Sequence, residues 1–219
     1  MKNRILAVLM ACLICCPAFA GPFDGKTTTV GQSKKVDAGQ FDSMKSLIQW
    51  VSSQKKGFFG KLEIDPVISA NIDLAQSFSD LIYFISKTTD KDLKDRLVKM
   101  AAQKAKTPSE VLLAAKLVAK RSGAGDLRNG LVLDWAKTQA RDLSDVVELV
   151  KYYRTILLEQ RDEMDHRLIE AGVPYVKTQT DVDQLLSLQK YSIRRASLIT
   201  LLKGQVKKAG LERITLPRE

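Results

Sequence analysis

The fold is decided by residues 143–171, LSDVVELVKYYRTILLEQRDEMDHRLIEA. Apolar side chains recur along this stretch at alternating steps of three and four residues, and one polar residue, Arg161, occupies the same seam. The seam consists of Leu143, Val146, Val150, Tyr153, Leu157, Met164 and Leu168. Such spacing is typical of a helix that packs against another helix along its length. The stretch therefore predicts one continuous helix of about four heptads.

A second long helix is predicted directly after the first. Gly172 and Pro174 end the first helix, because glycine and proline interrupt helical structure. Thr180 or Asp181 then supplies an N-cap for a helix that reaches about residue 209. Two long helices joined by a short turn predict an antiparallel hairpin over 142–210, about 40 Å long at 1.5 Å per residue. A tail over 211–219 follows it.

Residues 39–141 predict a bundle of shorter amphipathic helices on which the hairpin packs. Their starts are marked by capping residues, in two cases followed by proline, ahead of apolar residues at helical spacing. The predicted starts are near Phe41, at Asp65-Pro66, at Thr89 or Asp90, at Thr107-Pro108 and at Leu131. The second of these helices is expected to run unbroken over about 66–87, and the glycine-bearing segment 122–126 to interrupt the chain. The expected fold class is all-α, a multi-helix bundle with a long C-terminal hairpin.

The amino terminus predicts a cleavable secretory signal peptide over residues 1–20. Lys2 and Arg4 precede an apolar run, and Ala18-Phe19-Ala20 offers the small residues that signal peptidase reads, so the cut is placed after Ala20. A lipoprotein cleavage that leaves Cys12 acylated is the alternative. An uncleaved anchor is disfavoured, because the apolar run is shorter than the ~20 residues of a spanning helix. We expect an exported protein, periplasmic or extracellular, without a transmembrane span.

Removal of the signal changes the chemistry of the mature chain. Residues 21–38 predict an extended or mobile arm, since they contain three glycines and no helical periodicity. All three cysteines leave with the signal, so no disulfide or thiolate site is expected. Loss of Lys2 and Arg4 lowers the count of Lys and Arg from 35 to 33 against 25 Asp and Glu, a net charge of +8.

No catalytic, cofactor or metal site is predicted. The one histidine, His166, follows Glu163 at the Glu-x-x-His spacing of di-iron bundles, but no second copy exists. Both residues lie two positions from the apolar seam, about 200 degrees around a helix, which predicts a stripe that faces solvent. Gly125 and Gly130 have the spacing of a phosphate loop, but Leu131 follows where that motif has lysine.

Two groups of residues are candidates for binding. Aromatic rings interleaved with lysines suit a membrane or partner contact, and they occur at Trp50, Lys55, Lys56, Phe58, Phe59 and Lys61. Trp50 also fits an inward-facing position on its helix. Ten Lys and Arg against four Asp and Glu over 87–121 predict a basic partner face, with Lys91, Lys94, Lys99, Lys104, Lys116, Lys120 and Arg121.

The expected function is contact rather than chemistry. We expect an exported, non-enzymatic helical protein that acts through protein–protein contact in the cell envelope, as an adaptor, chaperone or assembly component. A protein partner or self-association is expected; an anionic envelope surface is an alternative partner, and nucleic acid is a less common one outside the cytoplasm. The alternatives are a secreted effector that contacts membrane or cell wall, and a carboxylate-dependent cell-wall enzyme.

Overall fold

The computed structural model describes residues 41–54, 64–156, 161–189, 192–211 and 213–217. The predicted signal peptide and arm, and the predicted contact residues Lys55, Lys56, Phe58, Phe59 and Lys61, lie outside these ranges. All of the described residues belong to one compact unit, Asp37–Glu219.

The described residues form helices and no strands, which confirms the all-α fold class. Short 3-10 helices cover Ile72–Leu74 and Val173–Tyr175. The α-helices are α1 (Met44–Ser53), α2 (Ile64–Ala70), α3 (Phe78–Lys87), α4 (Lys91–Lys104), α5 (Pro108–Lys116), α6 (Ala124–Thr138), α7 (Leu143–Ile156), α8 (Arg161–Gly172), α9 (Gln179–Leu188) and α10 (Ser192–Lys208).

The prediction of one helix over 143–171 is wrong, because α7 and α8 lie side by side. Arg154 of α7 donates two hydrogen bonds to Asp165 of α8, at 2.8 and 2.6 Å. In a single helix these residues would be separated by about 16 Å along the axis, beyond the reach of both side chains. Gly172 at the end of α8 lies against Leu143 at the start of α7, so the two helices are antiparallel.

Two other predicted helices are also divided. The predicted helix over 180–209 ends at Leu188, where Gln189 is extended, and α10 follows separately. The predicted hairpin with two long arms is therefore replaced by four shorter helices over 143–208. The predicted helix over 66–87 ends at Ala70, and Ser77 begins α3 through a capping box with Asp80.

The local start signals of α4 and α5 are confirmed. The Asp90 side chain accepts from the Leu93 amide at 2.7 Å, and the Thr107 side chain accepts from the Glu110 amide at 3.3 Å. At α6 the predicted interruption is shorter than expected. Within the segment 122–126, Gly123 has a left-handed backbone, with φ of 76°, and the helix begins directly after it.

One apolar cluster joins the described helices from Leu47 of α1 to Leu202 of α10. Its largest fully buried side chains include Trp135, Phe84 and Leu149. Helix α6 packs against α4, α5, α7 and α8, so it occupies a central place in the bundle. The exposed side of α6, next to α4, forms the candidate site.

Candidate functional site

A groove of about 420 Å³ runs between the carboxyl-terminal half of α4 and the exposed side of α6. This volume lies within the range of small-molecule and peptide pockets. Its walls combine charged, amide and hydroxyl side chains with an apolar floor. The lining residues are Lys99, Ala102, Gln103, Asp126, Leu127, Gly130, Leu131, Asp134, Trp135, Thr138 and Gln139.

Two side chains of the α6 end hold α4 and α6 together. Trp135 is buried, and its Nε1 donates to the Ala105 carbonyl oxygen at 2.8 Å. With its amide turned so that the nitrogen faces α4, Gln139 donates to the carbonyl oxygens of Gln103, at 3.2 Å, and Ala105, at 3.1 Å. Carbonyls at a helix end have no partner within the helix, so these bonds satisfy the end of α4. Trp135 and Gln139 thus join the end of α6 to the end of α4 at the groove wall.

The polar wall on α6 follows from a four-residue spacing. Asp126, Gly130, Asp134 and Thr138 recur at every fourth position, which places them along one side of the helix. Gly130 lies in the middle of this side, and no atom lies within 4 Å of the position that a Cβ there would take. A helical glycine costs about 1 kcal/mol relative to alanine. Gly130 therefore leaves open space in the middle of this groove wall.

A second cavity of about 560 Å³ adjoins the first and extends toward α3 and α5. The two cavities share Gln103 and Gln139. The remaining lining residues are Gln76, Ser77, Phe78, Ser79, Lys104, Ala105, Lys106 and Glu110. Glu110 is held in place by the Lys106 amide, which donates to its carboxylate at 2.6 Å. We call these two adjacent cavities together the channel; their linings come from α6, α4, α5 and α3.

The channel offers recognition chemistry for an extended polar chain. The Gln103 side-chain amide can both donate and accept, as a peptide group does. The amides of Gln76 and Gln139 offer their oxygens as acceptors, because their nitrogens already donate to backbone carbonyls. Charges of both signs line it, with Asp126 and Asp134 in the first cavity and lysines in both. Such a surface suits a flexible polymer with mixed side chains better than a compact apolar ligand.

The structure distributes the predicted basic face over several surroundings. Lys99 and Lys104 line the channel, while Lys116 lies over the Tyr152 ring and Arg121 pairs with Asp92 and Asp95. The remaining members, Lys91, Lys94 and Lys120, are exposed or half-buried. Lys94 and Lys99 are five residues apart on α4, which is about 140 degrees around the helix. The seven residues therefore do not share one face.

Trp50 is the one member of the predicted aromatic contact that falls within the described residues. Its ring is half-buried, packs against the apolar core and lies 5.6 Å from the Phe41 ring, centroid to centroid. This arrangement agrees with the inward-facing alternative.

The prediction that His166 faces solvent is wrong, because the end of α9 lies against it. The imidazole is 15% exposed; its Nδ1 lies 3.1 Å from Gln189 Nε2, and its Nε2 lies 3.2 Å from Glu170 Oε1. Glu163 stays exposed and pairs with Arg194 of α10 at 3.2 Å. Among the described residues no group of three or more potential ligands is placed to hold a metal ion.

Most of the channel was not predicted from the sequence. Lys99 and Lys104 were selected for charge alone, and Gln103 and Gln139 were not selected. The sequence did contain one signal, the four-residue recurrence of Asp126, Gly130 and Asp134. That signal was missed because 122–126 was interpreted as an interruption, which placed Asp126 outside the helix.

The chain matches no family model, no curated protein and no solved structure in the comparisons made. Of the helices that the structure describes, none is long and apolar enough to cross a membrane. Arguments about function therefore depend on the geometry of this chain.

Proposed function

We propose that this chain is an exported, non-enzymatic binding protein that holds an extended segment of a partner polypeptide in the channel between α6, α4, α5 and α3. The observation that carries the proposal is the adjacency of the two cavities, which share Gln103 and Gln139 in their linings. An extended chain can occupy two adjacent cavities at once, whereas a small ligand would occupy one of them.

The charges of the channel favour a polypeptide over a uniform polymer. Asp126 and Asp134 suit a basic side chain of the partner, and Lys104 and Lys106 suit an acidic one. The glutamine amides would pair with the peptide groups between them.

The cellular setting of the proposal comes from the predicted signal peptide. Mass spectrometry of the protein from an exporting host should show an amino terminus at Gly21. A lipid-modified Cys12 would instead place the binding surface at a membrane, and an intact Met1 would remove the export part of the proposal.

Site-specific photo-crosslinking in the native cell tests the binding part. A photoreactive amino acid replaces Gln103 or Thr138 within the channel, and Ser69, exposed on α2, provides the control position. We expect adducts with a defined polypeptide from both channel positions and none from Ser69. Adducts with glycan, equal adducts from all three positions, or no adduct would contradict the proposal.

A further inference from the structure

A second group of polar side chains lies where α5, α6 and α7 meet. Lys116 at the end of α5 places its ammonium nitrogen 4.9 Å from the centroid of the Tyr152 ring on α7. The next residue, Tyr153, donates from its hydroxyl to Asn129 Oδ1 on α6 at 3.3 Å. Arg128 precedes Asn129 on α6, and α5, α6 and α7 all pack against one another.

Two hydrogen-bond donors at this spot have no acceptor. Arg128 Nε and the Tyr152 hydroxyl are both shielded from solvent, and neither makes a hydrogen bond. Buried donors are almost always paired, because a donor removed from water without a partner loses free energy. Two unpaired donors on adjacent helices therefore indicate a missing hydrogen-bond partner.

Arg128 also differs from the comparable arginines of the chain. Three other arginines with described side chains are half-buried, and each has an oxygen acceptor: Arg154 bonds to Asp165, Arg194 to Glu163 and Arg195 to the Leu186 carbonyl. Arg128 is half-buried without one. A partly desolvated guanidinium is expected to be paired with an anion.

Tyr153 adds no negative charge to this site. Burial raises the pKa of Tyr153, Tyr152 raises it further and the Arg128 guanidinium lowers it, so Tyr153 stays a neutral hydroxyl. Glu148, one turn before Tyr152 on α7, lies 3.4 Å from the Ser109 hydroxyl on α5. No described carboxylate forms an ion pair with Lys116 or Arg128.

We propose that Lys116, Arg128 and Tyr152 form a binding site for an oxyanion, carried either by a phosphate or by a carboxylate. Guanidinium and ammonium groups are the usual partners of both anions, and a phenol hydroxyl adds a neutral donor. The bound oxyanion accepts from the guanidinium and, after a small rotation of the ring, from the Tyr152 hydroxyl. The site is independent of the channel, whose lining does not include these residues.

Thermal unfolding of the exported protein in different salts tests the site. Sodium phosphate and sodium succinate are compared with sodium chloride at equal ionic strength near neutral pH, because general screening depends on ionic strength alone. At least one of the two oxyanions should raise the unfolding temperature saturably above its value in chloride. The phosphate and succinate arms show which of the two groups the site takes. Equal unfolding temperatures in all three salts, or a rise that does not saturate, would overturn the proposal, because phosphate also stabilises folded proteins by its exclusion from their surface.

Matched variants locate the binding. Arg128→Gln and Lys116→Gln should each weaken oxyanion affinity about tenfold or more in calorimetric titration, since each removes a charge-assisted hydrogen bond. Lys120→Gln removes the same charge from an exposed position beyond the end of α5 and should keep the affinity within about twofold. Without added oxyanion, Arg128→Gln should unfold at no lower temperature than the parent protein, because an unpaired buried donor is lost. Equal affinities in Arg128→Gln and Lys120→Gln would overturn the assignment.

Discussion

At the scale of single residues, Asp65 stabilises a helix other than its own. Its carboxylate accepts hydrogen bonds from the Thr89 amide at 3.1 Å and the Asp90 amide at 2.9 Å, ahead of α4. The hydroxyls of Thr88 and Thr89 also donate to it. Burial raises the pKa of Asp65. The hydrogen bonds from Thr88, Thr89 and Asp90 together lower the pKa by more than burial raises it, so the pKa lies below its usual value.

The lowered pKa of Asp65 predicts a pH-dependent contribution to stability. Asp65→Ala should lower the free energy of unfolding by about 1–2 kcal/mol near neutral pH, as loss of a capping carboxylate does. The contribution is present above the unfolded pKa of 3.8 and is lost as the pH falls through the folded value. Urea unfolding at about pH 7 and about pH 3 should therefore show a difference between the two proteins that shrinks in acid. Asp73→Ala, which removes an exposed carboxylate, is the control, and a difference that is the same at both pH values would refute the assignment.

Gly130 allows stability and binding to be separated. Gly130→Ala should raise the free energy of unfolding by about 0.5–1 kcal/mol, because alanine favours the helix and no atom obstructs a Cβ there. Gly130→Leu should fill the channel and abolish the photo-crosslink from Thr138. Gly204 of α10 is also helical with open space around it, and it lies outside the channel, so the same two substitutions there should leave the crosslink intact. A crosslink that persists in Gly130→Leu would count against the channel as the binding site.

At the scale of helices, one ion pair joins the elements of the carboxyl-terminal half. Arg154 of α7 binds Asp165 of α8 through two nitrogens, and it also donates to the Leu188 carbonyl at the end of α9. The Arg154 and Asp165 side chains are 16% and 13% exposed. Bidentate arginine–carboxylate pairs fix orientation as well as proximity. This contact holds α7, α8 and α9 together at the place where the predicted long helix doubles back.

Two neighbouring carboxylates on α8 test this role. Asp165→Asn should lower the free energy of unfolding by about 2–3 kcal/mol, because the half-buried Arg154 loses its charged partner. Glu163→Gln changes an exposed pair, with a glutamate that is 64% exposed, and should cost less than about 1 kcal/mol. Chemical denaturation of both variants measures the difference, and losses of equal size would show that the Arg154 pair does not join the helices as described.

What could be predicted from the sequence at this scale follows from the range of each signal. Caps such as Thr107-Pro108 are confirmed because the residues that form them are three positions apart. Heptad spacing reports which face of 143–171 is apolar but not whether the helix is continuous, since Leu143 and Leu168 are buried in either case. The Arg154–Asp165 pair and the Gln103–Gln139 contact join separate helices. No local pattern indicates such contacts, so the sequence could show the polar side of α6 but not the α4 residues that lie against it.

At the scale of the whole molecule, charge is arranged so that helices of opposite sign are neighbours. The chain as a whole carries a formal net charge of +10. Residues 142–170 hold eight Asp and Glu against four Lys and Arg, whereas residues 190–213 hold seven Lys and Arg against one acid. The pair between Glu163 of α8 and Arg194 of α10 joins these two regions. The basic excess of α10 is thus partly balanced within the fold. This excess therefore does not by itself indicate an anionic partner.

The continuous apolar core predicts that the described helices unfold as one unit. The core cluster joins Leu47 and Val51, near Trp50, to Leu198 and Leu202 of α10, so neither the predicted bundle over 39–141 nor the region over 142–210 has a separate core. In a Trp135→Phe variant, Trp50 is the single tryptophan and reports on the α1 end alone. Its fluorescence and the far-ultraviolet circular dichroism of all helices should give one urea midpoint. Trp50→Phe, with Trp135 as the reporter in α6, should show the same agreement between its two probes. A dichroism transition that continues after the Trp50 signal has finished would mean that 142–210 folds alone, and the channel, built by α3, α4, α5 and α6, would then belong to the less stable part.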